Sequence, residues 1–379
     1  MADPALRESS FPLDLAANPD LVDGWLDCQV GSRISRTNPP AVYGSGPIDT
    51  LIEGWSETIG PRSWMVQVTP SPAGPWQVAE ADGEQRAPAD GSTLASALSS
   101  NGTTLMLMST PENDVWTTDP ADMPLDMRVG GEQVTASAIG PAAQDPFTRT
   151  VTGSWGIEPV TGQAWQHFGS AASFNVTGSS AQHIHQAVNS GRISVIDIGS
   201  TDARVRVTGS VPVAAIGPST ALTIYAIARF TDDNNYYQAR LAFIPNLAIT
   251  CSIRKRVAGV DDTIASVVTG LTHVPGTRYT VELDVAGSQL RARVWREGDP
   301  VPDWQTQATN TELTAGTKAG VRTIIDAGSG NTMPLTYTID DVVVSLPQRV
   351  TVTRGVNGVV RDWPAGTEVD VWAPAIAAL

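Results

Sequence analysis

The sequence predicts an all-β protein in two parts: a small loop-rich β domain and a larger jelly-roll β-sandwich. Two observations carry this. Charged residues make up only 17% of the chain while Gly (34) and Pro (27) are abundant beside Thr, Ser and Val, the mix expected of strands joined by tight turns. From Asp145 onward, strand-length runs follow one another every 8 to 15 residues or so, with turn signals between them.

Residues 1–20, punctuated by Pro and Asp, read as an extended arm. Between Leu21 and Ile139 the strand candidates are LVDGWLDCQV, SWMVQVT, TLMLM and the run from Glu132, separated by Pro/Gly stretches such as TPSPAGPW and EADGEQRAPADGS. LDMRV and EQVTASA flank Gly130-Gly131 and read as a hairpin. The sandwich strands are RISVIDI, ARVRVTGSV, ALTIYAIARF, YYQARLAFI, LAITCSIRKRV, TIASVVTGL, RYTVELDV, QLRARVWRE, AGVRTII and LTYTIDDVVVSL.

In ALTIYAIARF, Leu222, Ile224, Ala226, Ala228 and Phe230 share one face and Tyr225 and Ile227 the other, which predicts a central strand covered on both sides. A two-residue turn at Gly287-Ser288 sets a definite register. It pairs Asp284 with Arg291, Glu282 with Arg293 and Thr280 with Trp295, and puts Val285/Leu290, Leu283/Ala292 and Val281/Val294 on the apolar face.

A net charge of −15 opposes nucleic-acid phosphates and anionic lipid. The longest apolar runs are far short of the ~20 residues that cross a bilayer, so no membrane insertion is expected. The N-terminus MADPALRESS has no basic-then-apolar export signal. Cys28 and Cys251 are expected as free, buried thiols of a reducing compartment.

Two sets of segments carry a resemblance. DPFTRTVTGSWGIEPVTGQAW (Asp145 to Trp165), DDNNYYQARLAF (Asp232 to Phe243), GSQLRARVWREGDPVPDWQ (Gly287 to Gln305) and TIDDVVV (Thr338 to Val344) resemble the concanavalin A-like, laminin G-like jelly roll often carried by phage tail proteins. SNGTTLMLMSTPENDVWTTDPADMPLDMRVGGEQVTASAIG (Ser100 to Gly140) and QRVTVTRGVNGVVRDWPAGTEVDVWAPAIAAL (Gln348 to Leu379) resemble minor tail proteins of long-tailed phages that infect actinobacteria.

In those relatives the latter two segments lie close together. The resemblance therefore implies a discontinuous tail-assembly domain, 21–143 plus 347–379, interrupted by a sandwich at 144–346 and closed by a C-terminal hairpin that would be unstable alone. It further implies a structural protein of the virion tail, assembled in the host bacterial cytoplasm. Its partners would be other tail proteins, further copies of itself and host surface polysaccharide. A purely architectural tail protein and a wall-polysaccharide depolymerase are the rival readings.

No enzyme is expected. Glu282-Leu-Asp284-Val-Ala-Gly287 resembles the Glu-x-Asp-x-x-Glu strand of jelly-roll glucanases, but Ala286 or Gly287 stands where the general acid belongs, and Arg291 and Arg293 account for both acids as ion pairs. Trp155 and Trp165 read as packing anchors. For sugar, aromatic faces that strands or loops would bring to a groove are the candidates: Tyr225, Tyr236, Tyr237, Trp295 and Trp304.

His183 and His185 share a strand face, as a metal pair or an ordinary exposed strand. No cofactor is required. Structural calcium at Asp340 and Asp341, or at the cluster Asp232, Asp233, Asn234 and Asn235, stands against strand-edge solvation and turn chemistry.

Overall fold

The computed structural model describes residues 9–39, 47–73, 86, 88–89, 91–109, 115–218, 220–372 and 374. The first four strands, β1 (Phe11–Asp14), β2 (Arg33–Arg36), β3 (Ile48–Gly60) and β4 (Ser63–Pro72), form an antiparallel sheet in the order β1-β4-β3-β2. Phe11, Leu15, Trp25, Ile52, Val66 and Val68 are its buried cluster. Glu57 accepts hydrogen bonds from both Trp25 Nε1 and Trp64 Nε1, tying the sheet to the segment beside it.

Two expectations change here. The arm at 1–20 supplies a paired strand, because Phe11 and Leu15 have apolar cover to gain. LVDGWLDCQV forms no strand: Val22–Leu26 is a one-turn helix, α1, entered through a 3-10 turn with Pro at its start and burying only Trp25. Apolar residues at 21, 22, 25 and 26 fit a helical turn better than strict alternation. Cys28 is half-buried, and its thiol donates to the Gly24 carbonyl at 3.3 Å; both cysteines are free.

The next strands are β5 (Thr93–Leu94), β6 (Thr104–Met108), β7 (Leu125–Val129) and β8 (Glu132–Asp145), with β7 and β8 joined through Gly130-Gly131 as the expected hairpin, Val129 opposite Glu132. The sandwich follows: β9 (Thr150–Thr152), β10 (Gln166–Phe168), β11 (Phe174–Thr177), β12 (Ala181–His185), β13 (Arg192–Asp197), β14 (Ala203–Ser210), β15 (Leu222–Asp232) and β16 (Asn235–Phe243). It continues with β17 (Ala248–Val257), β18 (Val260–Thr272), β19 (Tyr279–Ala286), β20 (Gln289–Arg296), β21 (Thr306–Thr309) and β22 (Lys318–Ile325). The long β23 (Leu335–Thr353) and short β24 (Val369–Val371) are the last strands among the described residues.

One sheet has seven strands, β10-β13-β22-β15-β16-β17-β18, and faces a second whose main path is β21-β20-β19-β14-β23-β12-β11-β9. Between them lies the largest core, which includes Phe147, Trp155, Trp165, Tyr237, Tyr279 and Tyr337. Trp155 packs edge-on to Phe147 and Trp165, so the two tryptophans are packing anchors. The all-β sandwich expected from the strand pattern is thus present, and all ten of its anticipated runs form strands. The hairpin at Gly287-Ser288 has each cross-strand pair that the sequence dictates.

In β15 the alternation holds to Ala228 and then breaks. Arg229 adopts a positive φ of 49°, the ladder slips between Ile227 and Phe230, and Phe230 joins Tyr225 on the outer face instead of Leu222 on the inner. The bulge is held because Arg229, 5% exposed, donates to the carbonyls of Thr201, Leu313 and Gly287 and to Asp202.

β23 belongs to both parts. Its first half pairs with β12 and β14; from Gln348 it pairs with β6 and β8. Pro347 falls between Leu346, the last partner of β14, and Gln348, the first partner of β6 and β8, where no ladder N–H is required. Thr351 lies opposite Thr104 and Ala138, and Val369 opposite Val129.

Leu105, Leu107, Met127, Val134, Val350, Val352, Trp363 and Val369 share one buried cluster, so the segment beginning at Gln348 is not a hairpin paired with itself. Each of its strands adds to a different neighbour. Residues 21–143 and 347–379, expected as one body, hold two clusters, one at β1–β4 and one at β5–β8 with the C-terminal strands. The expected boundaries near 144 and 347 lie inside β8 and β23, which are continuous ladders, not linkers.

Close approach of the paired backbones of β13 and β22 fixes Gly320, where an added Cβ would collide with the Ser194 carbonyl. Gly320→Ala is expected to cost about 1–3 kcal/mol by overpacking, read as a lower urea midpoint. A cost under ~0.5 kcal/mol would mean that β13 and β22 have slack.

Candidate functional site

A pocket of about 470 Å³ lies on the seven-stranded sheet, lined by His167, Phe168, Arg192, Tyr236, Arg256 and Arg322, with Ser190 and Asp233 also at its wall. Alternation along the strands puts Arg322 on the outer face, between the core-facing Val321 and Thr323. Beneath the arginines is a small apolar layer, Ile193, Val195, Tyr225, Ile227, Phe230 and Tyr236.

The Arg322 guanidinium lies 5.1 Å from the Tyr225 ring centroid and 6.0 Å from that of Tyr236. It donates to Gln238 Oε1 at 2.9 Å and to Asp261 at 3.1 Å, while Arg256 reaches the same Asp261 at 2.8 Å. Burial opposes ionisation of Asp261, but Arg322, Arg256 and Gln238 outweigh it and hold the carboxyl below its usual range.

Arg192 has a different environment. It is 8% exposed, and its hydrogen bonds, all from Nη1, go to Ser190 Oγ at 2.8 Å and to the carbonyls of Gly191 and Ser190. No carboxylate pairs with it among the described residues, and its Nε is buried without a partner. The Tyr236 hydroxyl is also buried without a partner, and burial pushes its pKa above the ordinary tyrosine value. Gly169 makes room for the Arg192 side chain: a Cβ there would sit 3.0 Å from Arg192 Cδ.

Behind the pocket, a directed hydrogen-bond chain crosses between the sheets. The Trp155 N–H donates to His167 Nε2 at 3.0 Å, which makes His167 Nδ1 the donor to Ser194 Oγ at 2.8 Å. Ser194 then donates to His183 Nε2 at 2.8 Å, and His183 Nδ1 donates to Thr323 Oγ1 at 3.0 Å. Thr323 donates to His185 Nε2 at 2.8 Å, and His185 Nδ1 ends the chain on the Ser190 carbonyl at 2.9 Å.

All three rings are therefore neutral Nδ1–H tautomers with both nitrogens committed. Burial lowers the pKa of His167 and His185 to about 4, and holds that of His183 well below the ordinary histidine value. His183 and His185 are fully buried, against the expected exposed strand, and are braces between sheets, not ligands of a metal.

The five aromatic candidates are not brought together. Tyr236 lines the pocket and Tyr225 lies in the layer under Arg322. Tyr237 points into the main core, where its hydroxyl bonds Asn310 Oδ1 and the Leu313 N–H, because residues 236 and 237 alternate between faces. Trp295 and Trp304 are on the opposite sheet's hairpin. Trp295 is 7% exposed, and Trp304 covers Arg293 at 4.2 Å and Arg291 at 4.7 Å. Four of the five have no free ring face of any size, a correction to the expected aromatic groove; burial of flat rings in β-sheet cores is the competing use that won.

The two acids of the glucanase-like strand are engaged. Glu282 accepts from Arg293 at 2.5 Å, and Asp284 accepts from Arg291 at 2.6 Å and Arg204 at 3.1 Å. Asp340 is paired with Arg278 at 2.8 Å, and Arg206 is 3.9 Å from Asp341. Burial raises the pKa of Asp341 to about 6.

One oxygen of each of Asp340 and Asp341 is buried without a partner, but no group of three acidic, His or Cys side chains that would hold a metal ion is gathered among the described residues. Asp232 to Asn235 close the β15–β16 turn, with Asp232 accepting from the Asn234 N–H and the Asn235 amide.

No protein-family model matches the sequence, and no curated protein does. Among solved structures, the chain is similar to a glycosyl hydrolase family protein from Mycobacterium fortuitum, 13% identical over 54% of this chain and 99% of that one, TM-score 0.35. It is also similar to the β-glucanase of Bacillus licheniformis, 12% identical over 53% and 96%, TM-score 0.36. A carbohydrate-binding module from Bacillus subtilis is 13% identical over 48% and 94%, TM-score 0.30. At these identities and scores, none of the likenesses bears on what the pocket holds.

Proposed function

We propose that the protein is a structural component of a phage tail whose sandwich binds a glycan of the host surface without catalysis. The observation that carries the binding role is the pocket on the outer face of the seven-stranded sheet, where Ser190, Arg192, Tyr236 and Asp233 offer donors and acceptors beside apolar walls. The tail role is supported by the resemblance of residues 100–140 and 348–379 to minor tail proteins and by the close packing of those two segments.

In this reading the cluster built on β5–β8 and the C-terminal strands docks neighbouring tail proteins and further copies of the chain in the virion. Attachment gains strength from several copies presented together. The ion-paired Glu282 and Asp284, with no third acid at 286 or 287, support a binding role over hydrolysis.

Calorimetric titration with host wall polysaccharide tests it. Saturable binding is expected, and it is expected to vanish in Asp233→Trp, a substitution at an exposed turn residue on the pocket wall that leaves the thermal midpoint unchanged. Absence of saturable binding would favour a purely architectural protein. Release of reducing ends would favour a depolymerase.

A further inference from the structure

We infer that the pocket is selective for an oxyanion on the saccharide, a carboxylate or a phosphate, seated between Arg192 and the Tyr236 hydroxyl. The inference rests on the glycan reading above and adds its charge class. Three features of the pocket point to it.

First, three guanidiniums, of Arg192, Arg256 and Arg322, meet at one pocket of a chain whose net charge is −15. Asp261 serves two of them, Arg256 and Arg322, and leaves Arg192 without a carboxylate among the described residues. Asp233, the acid at the wall, accepts from the Asn234 amide, and its carbonyl accepts from Arg256 Nε.

Second, a buried polar atom without a partner is costly, and natural proteins keep few of them. Two such atoms, Arg192 Nε and Tyr236 Oη, belong to residues that line this one pocket. Both are donors, and a guanidinium is a donor only, so the complementary ligand group is an acceptor. A charged oxygen gains the most from them in a partly desolvated site. Burial already disfavours the charged form of Arg192, a cost that an incoming anion offsets.

Third, the floor is cut to fit. Gly169 has a φ of +141°, and a Cβ there would press on Arg192 Cδ at 3.0 Å, so the Arg192 side chain lies in space kept clear by glycine.

The test is a calorimetric comparison of four probes: an oligogalacturonate, a phosphorylated oligosaccharide, a neutral oligosaccharide of the same length, and inorganic phosphate alone. At least one acidic oligosaccharide is expected to bind about tenfold or more tighter than the neutral one, the worth of one hydrogen bond to a charged group. Which of the two acidic probes wins identifies the oxyanion, and inorganic phosphate alone is expected to bind most weakly.

Tyr236→Phe removes only the unpartnered hydroxyl, so it is expected to erase most of that preference while the thermal midpoint stays level or rises. Arg192→Gln is expected to abolish it. Equal affinity for neutral and acidic probes would overturn the oxyanion and leave glycan binding standing. No binding to any saccharide would remove both. An acidic preference that survives Tyr236→Phe and Arg192→Gln together would place the anion elsewhere.

Discussion

Glu132→Ala is expected to destabilise the protein by about 3–5 kcal/mol and to loosen the C-terminal segment. Glu132 is fully buried at the start of β8. Its Oε1 accepts from Arg354 Nε at 2.5 Å and from the Gly355 N–H at 3.2 Å; its Oε2 accepts from Arg354 Nη2 at 2.6 Å and Trp363 Nε1 at 2.8 Å. Arg354 spends its remaining donors on the carbonyls of Ser99, Gly102 and Arg361.

Burial alone would raise the Glu132 pKa, but these donors outweigh it and hold it below the ordinary value. Removing the carboxylate strands a guanidinium, an indole N–H and a backbone N–H in one place. Urea unfolding followed by the fluorescence of Trp363 and its neighbours reads the cost. Glu132→Gln, which keeps an acceptor and loses the charge, should fall between the wild type and Ala. A loss below ~1 kcal/mol for Ala would show that the apolar cluster holds the C-terminal strands without this pair.

The second large effect is acid sensitivity. His185 and His273 have folded pKa values of about 4 from burial, against ~6.5 in an unfolded chain. Each ring is neutral in the fold, so the stability it represents is complete above pH 6.5 and is lost as pH falls toward 4. By pH 5 the loss is about 2 kcal/mol for each of these two rings. The direction of the hydrogen-bond chain supplies the reason at His185: protonating its Nε2 sets a new N–H against the Thr323 hydroxyl hydrogen.

Asp341 works the other way. With its pKa raised to about 6 it favours the fold as pH drops below 6, returning about 1.4 kcal/mol by pH 5. The histidines win. Urea midpoints from pH 7 to pH 5 should fall steadily, more gently in His273→Phe, whose ring already stacks on Phe243 at 4.1 Å. A flat profile would mean that the rings titrate as they do in water.

Much of the sandwich is legible in the sequence because period-two alternation and short turns are local signals. The Gly287-Ser288 hairpin could be written down pair by pair. The alternation places Phe230 on the wrong face because one residue of positive φ at Arg229 reverses the faces, and nothing local in ARF announces it. The helical turn at Val22–Leu26 was hidden by its brevity.

The pocket was harder still. Arg192, Arg256 and Arg322 come from three strands that are not sequence neighbours, and only topology brings them together. One signal is local: in AGVRTII an arginine sits at the middle of a run whose other residues, Thr323 apart, are apolar, which is costly unless something nearby answers its charge. Aromatic rings stack on sugars, yet in this chain they chiefly fill the core.

β23 carries one last consequence. Nineteen residues of extended chain make a beam of roughly 60 Å, hydrogen-bonded to β12 and then β14 in the sandwich and, from Gln348, to β6 and β8 on its two sides. A load applied at one end runs parallel to the ladder, so many bonds must shear at once instead of opening one after another. The two parts are thus joined by one strand, and a tug on the sandwich reaches the other end as shear along the ladders with β6 and β8.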